Sequence, residues 1–311
     1  MFFFPYRADI SLFRLPWFTI LVCCMCIAVW TAQWFNERAT VRAASQFCSR
    51  DVPAVYDELL VAALGKWDAG TCKSLMDHIR AAPDARDFVY NKLLAPAPGS
   101  PPPNSEFRYL VASELMSRYY GYQAAVPERL TQALWYPPAS WDVFKMLTAT
   151  IAHGSWQHLL SNLFFFFAFA AAVETILGRI RFLLVGSIMA IGAFGAYSLA
   201  TLGAEPAPPT LGLSGVVYGM MALFAWFQPT ASIRCLFVFF LFFRRLLVPA
   251  WLMASWFVGL NLIQLAFDDG QSGVNMVAHV AGAIVGYTLG ALAFRSERKA
   301  LQNQVNIEAP N

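Results

Sequence analysis

Charge is what this sequence has least of. Asp, Glu, Lys and Arg make up 13% of its 311 residues, against about 25% in soluble domains. So few charges cannot coat a globule of this length, and 58% of the residues are hydrophobic. The balance excludes a cytosolic enzyme and a disordered chain, and it points to a polytopic membrane protein. The net charge of +3 is too small and too dispersed to imply a nucleic acid partner. Histidine is also scarce, with four in all. No carboxylate accompanies those near the apolar runs and no H-E-x-x-H occurs, so neither a metal nor an organic cofactor is implied. The absence of an internal repeat argues against a solute transporter built from inverted halves.

What is present is a set of six apolar stretches, 14–35, 158–177, 182–202, 213–228, 246–266 and 275–294. Each approaches the roughly 20 helical residues that cross a bilayer core, the fourth being short for a full span. Lys and Arg stay on the cytoplasmic side of membranes. Arg7 and Arg14 precede the first stretch, Arg179 and Arg181 separate the second from the third, and Arg234, Arg244 and Arg245 separate the fourth from the fifth. Arg295, Arg298 and Lys299 follow the sixth. The other two short loops carry Glu205, Asp268 and Asp269 but no Lys or Arg. This alternation predicts a multi-pass protein with both termini cytoplasmic, in the plasma (inner) membrane if the source is bacterial. The first stretch reads as a retained anchor rather than a cleaved signal, because it is long and carries Trp17, Trp30 and Trp34 where interfacial belts belong.

Residues 36–152 have a different composition: 24 of 117 are charged, in equal numbers of each sign. Helical patterns appear at 53–64, 71–82, 84–94 and 105–120, the last with Ser105 as N-cap and Gly121 as its end. Residues 95–104 (APAPGSPPPN) read as a polyproline spacer. The predicted organisation is a tail and first span at 1–35, an inserted helical extracytoplasmic domain at 36–126, a membrane core at 127–294 and a cytoplasmic tail at 295–311. Of the six cysteines, Cys23, Cys24 and Cys26 lie in the first span and Cys235 on the cytoplasmic side. Cys48 and Cys72 alone fall in the exported segment. They form either a disulfide or two reduced thiols, and no cysteine spacing resembles a zinc site.

Polar residues at membrane depth are expensive and mark function. In His153-Gly-Ser-Trp-Gln-His158-Leu-Leu-Ser-Asn162, His158 and Asn162 stand at i and i+4 and share a helix face. Their two donors can converge on one oxygen and stabilise developing negative charge, or simply tie helices together. Gly212-Leu213-Ser214-Gly215-Val216-Val217-Tyr218-Gly219 places a serine at a helix start, among free backbone N–H groups. That serine is either a nucleophile or a small packing residue. The third motif is Ala278-His279-Val280-Ala281-Gly282, continued by Gly286 and Gly290 as a small-residue stripe. The stripe can seat against Gly215 and Gly219, bringing His279 to Ser214 and Tyr218 beneath the imidazole. No Asp or Glu is available at that depth, so a Ser–His dyad is the natural catalytic reading.

With these motifs in this order on spans two, four and six, the chain resembles the rhomboid family of intramembrane serine proteases. The resemblance covers about 141–294 and the first span. It implies an all-α polytopic fold, a six-helix rhomboid-type bundle, here with a small α-helical extracytoplasmic domain between helices 1 and 2. It implies Ser214 as nucleophile, His279 as general base, and an oxyanion hole of His158, Asn162 and the Ser214 N–H. Tyr218 would stack on His279. Supporting positions are His153, Gly212, Gly215, Gly282 and Glu174. The implied function is cleavage of transmembrane protein substrates within the lipid bilayer, near its extracytoplasmic face. A catalytically silent rhomboid-like escort is the alternative. Entry of substrate is expected near the fifth span, with Phe237, Phe239, Phe240, Phe242 and Phe243 leading into it. The chain departs from the family twice. An aromatic-Arg pair before the second span reads Phe144-Lys145, which keeps the charge but lacks the bidentate fork. The long exported insertion is the other departure, and it reads as a substrate-selecting or partner-binding module, or as a tolerated insertion.

Overall fold

The computed structural model describes residues 2–8, 15–50, 54–95, 104–203, 207–239, 242–267 and 274–308. In chain order the elements are β1 (Phe2–Ala8), α1 (Trp17–Cys48), α2 (Ala54–Leu64), α3 (Ala69–Ala81), α4 (Ala85–Asp87), α5 (Ser105–Ala125), α6 (Leu130–Leu134), α7 (Val143–Ile151), α8 (Trp156–Leu177) and α9 (Arg179–Ala200). Then follow α10 (Ser214–Phe227), β2 (Ser232–Phe239), β3 (Phe242–Pro249), α11 (Ala250–Phe267), α12 (Met276–Ala293) and α13 (Arg295–Glu308). Among the described residues, five helices are long and apolar enough to cross a membrane (α1, α8, α9, α11 and α12), and α10 is a shorter apolar one. The protein is an integral, multi-pass, mainly helical membrane protein. Arg14, Glu205, Asp268, Asp269, Phe240 and most of the proline-rich spacer (96–103) lie outside the described residues.

The chain forms two compact units, Met1–Thr31 with Leu134–Asn311, and Ala32–Ala133. In the first, α10 is the central helix and packs on α8, α9, α11 and α12. Its sequence is apolar on every side, and Gly215–Val217, Gly219–Phe224, Trp226 and Phe227 are all buried. A helix with no polar face belongs inside a bundle. At 14 residues it is about 21 Å long, short of the bilayer core. Gly178, at φ +75°, turns α8 directly into α9. Glu174, near the end of α8, is buried and accepts from Phe18 N (3.0 Å), Thr19 N (2.7 Å) and Thr19 Oγ1 (2.8 Å). It caps the first turn of α1, whose N–H groups have no partner within the helix.

The sheet is an addition that the helical reading did not include. Strands β1, β2 and β3 are antiparallel with β2 in the middle, and Phe2 faces Val238 while Leu246 faces Cys235. The fifth span therefore begins at Ala250, not at residue 246. Residues 246–249 pair with 232–235 as strand. Pro249 disfavours helix at the residue before it, and the next two N–H groups donate to carbonyls outside α11, Ala250 N to Ala231 O (3.0 Å) and Trp251 N to Pro229 O (3.0 Å). Phe237, Phe239, Phe242 and Phe243, expected to lead into the span, belong to strands β2 and β3. The membrane-proximal stretch is held by a Tyr136–Thr210 backbone bridge (2.8 and 2.9 Å) and by the Tyr136 hydroxyl on Ser198 Oγ. Where the Arg of the family's pair is missing, Asp142 caps α7 by accepting from Phe144 N (2.8 Å) and Lys145 N (3.2 Å).

In the second unit, Leu60, Met76, Ile79, Val111, Leu115 and Tyr122 form a buried core. Helix α1 does not stop at Phe35, where its apolar run ends, but continues to Cys48. The added turns contain neither Gly nor Pro, and their Glu, Arg and Ala residues favour helix. A disulfide joins Cys48 to Cys72 in α3. The N-cap of α5 is Asn104, one residue before the expected Ser105, with its Oδ1 accepting from Glu106 N (3.0 Å). The helix passes Gly121 because Tyr122 beyond it is buried in the core. Tyr122 donates to Asp77 Oδ1 (2.7 Å), and Asp77 Oδ2 pairs with Arg129 (3.0 Å). Burial first, then the Asp77 carboxylate, pushes the Tyr122 phenol well above its ordinary range.

Two stability predictions follow from these contacts. Glu174→Ala strands three donors and should cost about 2–3 kcal/mol. An unchanged melting curve in detergent would remove the capping role. The Cys48–Cys72 bridge closes a segment of sequence separation 24, a restriction on the unfolded chain of about 3 kcal/mol. The Cys48→Ser/Cys72→Ser variant should therefore be cleaved by protease within 54–126 under conditions where the oxidised protein is resistant, and equal resistance would count against it.

Candidate active site

Ser214 is the first residue of α10, and no side chain caps that helix end, so the N–H groups of its first turn point free of the helix. Asn275 Oδ1 caps α12 by accepting from Ala278 N (3.0 Å), and its Nδ2 donates to Thr210 Oγ1 (3.1 Å). These bonds anchor the turn carrying His279. The two helices meet at backbone distance. A Cβ on Gly282 would fall on the carbonyl of Gly215, and one on Gly286 on the carbonyl of Gly219. Only hydrogen fits at these positions. The contact brings His279 Nε2 to 2.7 Å from Ser214 Oγ. The Tyr218 ring stacks on the imidazole, with centroids 4.6 Å apart and planes 9° from parallel.

The opposite wall comes from α8, started by Ser155, whose Oγ accepts from His158 N (3.2 Å). Asn162 Nδ2 is buried and has no hydrogen-bond partner among the described residues. Gly212, at φ +124°, lies against this pair. A Cβ there would sit 2.7 Å from His158 Cε1 and 3.7 Å from Asn162 Nδ2. Ser214, His279, His158, Asn162, Tyr218 and Phe257 line one cavity of about 600 Å³. It therefore holds a hydroxyl, an imidazole in contact with it, and two side chains with N–H donors on the facing wall. That set of groups suits attack on a carbonyl and retention of the resulting oxyanion.

A profile of the Rhomboid domain matches residues 140–296, just over half of the sequence. The chain belongs to the rhomboid family. It is 29% identical over 171 residues to the rhomboid protease GlpG of Enterobacter sp. (strain 638), covering 52% of this chain and 53% of that protein. It is 27% identical over 163 residues to the rhomboid protein YdcA of Bacillus subtilis (strain 168), covering 52% and 72%. Rhomboid-like protein 11, chloroplastic, of Arabidopsis thaliana is 29% identical over 146 residues, covering 47% and 51%. The chain thus spans about half the length of the GlpG and Arabidopsis relatives.

The remaining residues singled out in the sequence take other places in this rhomboid protein. His153 is buried between α7 and α8, edge-on to His158 with ring centroids 5.2 Å apart. Gly215 and Gly282 form the helix contact, and Glu174 caps α1, away from the cavity. Cys48 and Cys72 belong to the other unit. One site residue went unforeseen. Asn261, buried on α11, has its Oδ1 2.8 Å from His279 Nδ1, and its Nδ2 donates to Tyr218 Oη (2.6 Å) and to Phe257 O (2.9 Å). A carboxamide in the middle of an apolar helix was the signal for it, and a search confined to carboxylates passes over it.

The glycine contact makes a sharp prediction. Gly282→Val inserts a side chain where backbone already stands and should cost about 3 kcal/mol or more. A melting temperature within a degree or two of wild type would show that the two helices can move apart without penalty.

Proposed function

We propose that this rhomboid protein is an intramembrane serine endopeptidase, cleaving transmembrane segments of membrane proteins near the extracytoplasmic face. The observation that carries the reading is the 2.7 Å contact between Ser214 Oγ and His279 Nε2 inside a cavity that also holds His158 and Asn162. Ser214 Oγ attacks the substrate carbonyl carbon as its proton passes to His279 Nε2. The carbonyl oxygen becomes the oxyanion and takes hydrogen bonds from the Ser214 N–H, His158 and Asn162, donors that the fold holds in place before the charge forms. His279 then gives its proton to the leaving amine, and an acyl ester remains on Ser214. Water, deprotonated by His279, attacks that ester; the acyl–Oγ bond breaks, His279 returns the proton to Ser214 Oγ, and the second product leaves.

Glycine at 212 supports the reading, because any larger residue would press into the His158 imidazole. Buried Asn162 Nδ2, without a hydrogen-bond partner among the described residues, is a donor awaiting an acceptor. We take both termini as cytoplasmic from the Lys and Arg distribution. The inserted helical unit then lies outside the membrane, as a module that selects substrate or binds a partner. The test is cleavage of a transmembrane substrate by the purified protein in detergent, beside Ser214→Ala and His279→Ala. Each variant should lose about 10³-fold or more in kcat, and a fluorophosphonate should label Ser214 alone. Cleavage unaffected by Ser214→Ala overturns the mechanism, and absence of both cleavage and adduct favours the silent escort.

A further inference from the structure

Asn261 sits where a third catalytic partner would stand, and its hydrogen bonds fix more than its own position. Of α11, only Ala250, Met253, Ala254 and Asn261 are buried, so this carboxamide is the one polar group the helix turns inward. Phe257 O is a carbonyl and can only accept, so the amide atom 2.9 Å from it must be the NH2. The other amide atom is then Oδ1, which also can only accept. It lies 2.8 Å from His279 Nδ1, so Nδ1 must carry the proton. A neutral imidazole protonated at Nδ1 has its lone pair on Nε2, 2.7 Å from Ser214 Oγ. The second Asn261 N–H donates to Tyr218 Oη (2.6 Å), whose ring stacks on the same imidazole.

We infer that Asn261 is a positioning residue for the proposed reaction, extending the Ser–His pair to a Ser–His–Asn arrangement in which the carboxamide selects the reactive tautomer of His279. The role rests on the reading of Ser214 and His279 as nucleophile and base. Chemically the amide does what a triad carboxylate does for orientation, without placing a charge in the bundle. It accepts from Nδ1–H in the resting state and continues to accept when Nε2 takes the serine proton. No proton leaves His279 through it. By holding Tyr218 as well, it fixes the ring edge and the stacked face together.

The experiment uses the full-length protein in detergent with a transmembrane substrate, comparing wild type, Asn261→Leu, Asn261→Asp and Ser214→Ala. Leucine keeps the branching at Cγ and removes the acceptor. It should lower kcat by about 10²–10³-fold, the scale set by loss of the correct tautomer in a triad, and leave KM nearly unchanged. Aspartate restores an oxygen facing Nδ1 and should recover at least about tenfold of that loss. ¹⁵N-labelled histidine in the wild-type protein should report a proton on Nδ1 of His279. Protonation at Nε2 would overturn the inference without any variant. So would wild-type kcat in Asn261→Leu, or equal losses in the Leu and Asp proteins with a raised KM. If Ser214→Ala cleaves normally, the protease reading itself falls. If it is inactive while Asn261→Leu is not, only the role of Asn261 falls.

Discussion

Helices α10 and α12 touch through their backbones, at Gly215 with Gly282 and at Gly219 with Gly286, and the rest of the site depends on that approach. In lipid no hydrophobic force favours one helix pair over another, so close van der Waals contact must supply the specificity. Side chains at Gly282 and Gly286 would push the two helices apart and take His279 out of reach of the Ser214 hydroxyl, while a Cβ at Gly215 or Gly219 would first meet Ala193 or Met189 of α9. The same proximity lets Tyr218, on α10, lie flat on an imidazole carried by α12. A contact made of missing side chains thus sets the distance between the Ser214 hydroxyl and the His279 imidazole.

Polar groups elsewhere in the bundle follow from the same scarcity of water. Glu174 takes three donors at the start of α1, Asn275 closes the start of α12, and carbonyls at 229 and 231 receive the first N–H groups of α11. At these three helix starts the backbone N–H groups find partners supplied by the chain. The start of α10 has no side-chain cap, and Asn162 Nδ2 beside it has no partner among the described residues. Open donors at this place suit a site that waits for an acceptor.

The inserted unit obeys different rules. Its charges balance, its core is built on Leu60, Met76, Leu115 and Tyr122, and the Cys48–Cys72 bridge and the Tyr122–Asp77–Arg129 chain of bonds stabilise it as in a small water-soluble domain. One polypeptide therefore contains two solutions to burying apolar surface. In the bundle the bilayer covers what the helices leave exposed, while the smaller unit needs covalent and ionic support.

By itself the sequence determined the features that depend on composition and short spacing. These are the multi-pass character, the positions of most apolar helices, the motifs on spans two, four and six, and membership of the rhomboid family. Such features survive because period, charge scarcity and glycine spacing are local. Helix α1 running on past Phe35, the strand at 246–249 and the cap at Asn104 were not legible. Hydropathy marks where apolar character ends rather than where the backbone changes, and strand pairing is a property of two distant segments. Glu174 was visible as a residue, but its partners at 18 and 19 lie 156 and 155 positions away. The tertiary structure alone decided Asn261. Only when α11 packs beside α10 and α12 does its carboxamide meet Phe257 O, Tyr218 Oη and His279 Nδ1 together. A hydrogen bond needs its atoms within about 3 Å, and no spacing along the chain encodes that.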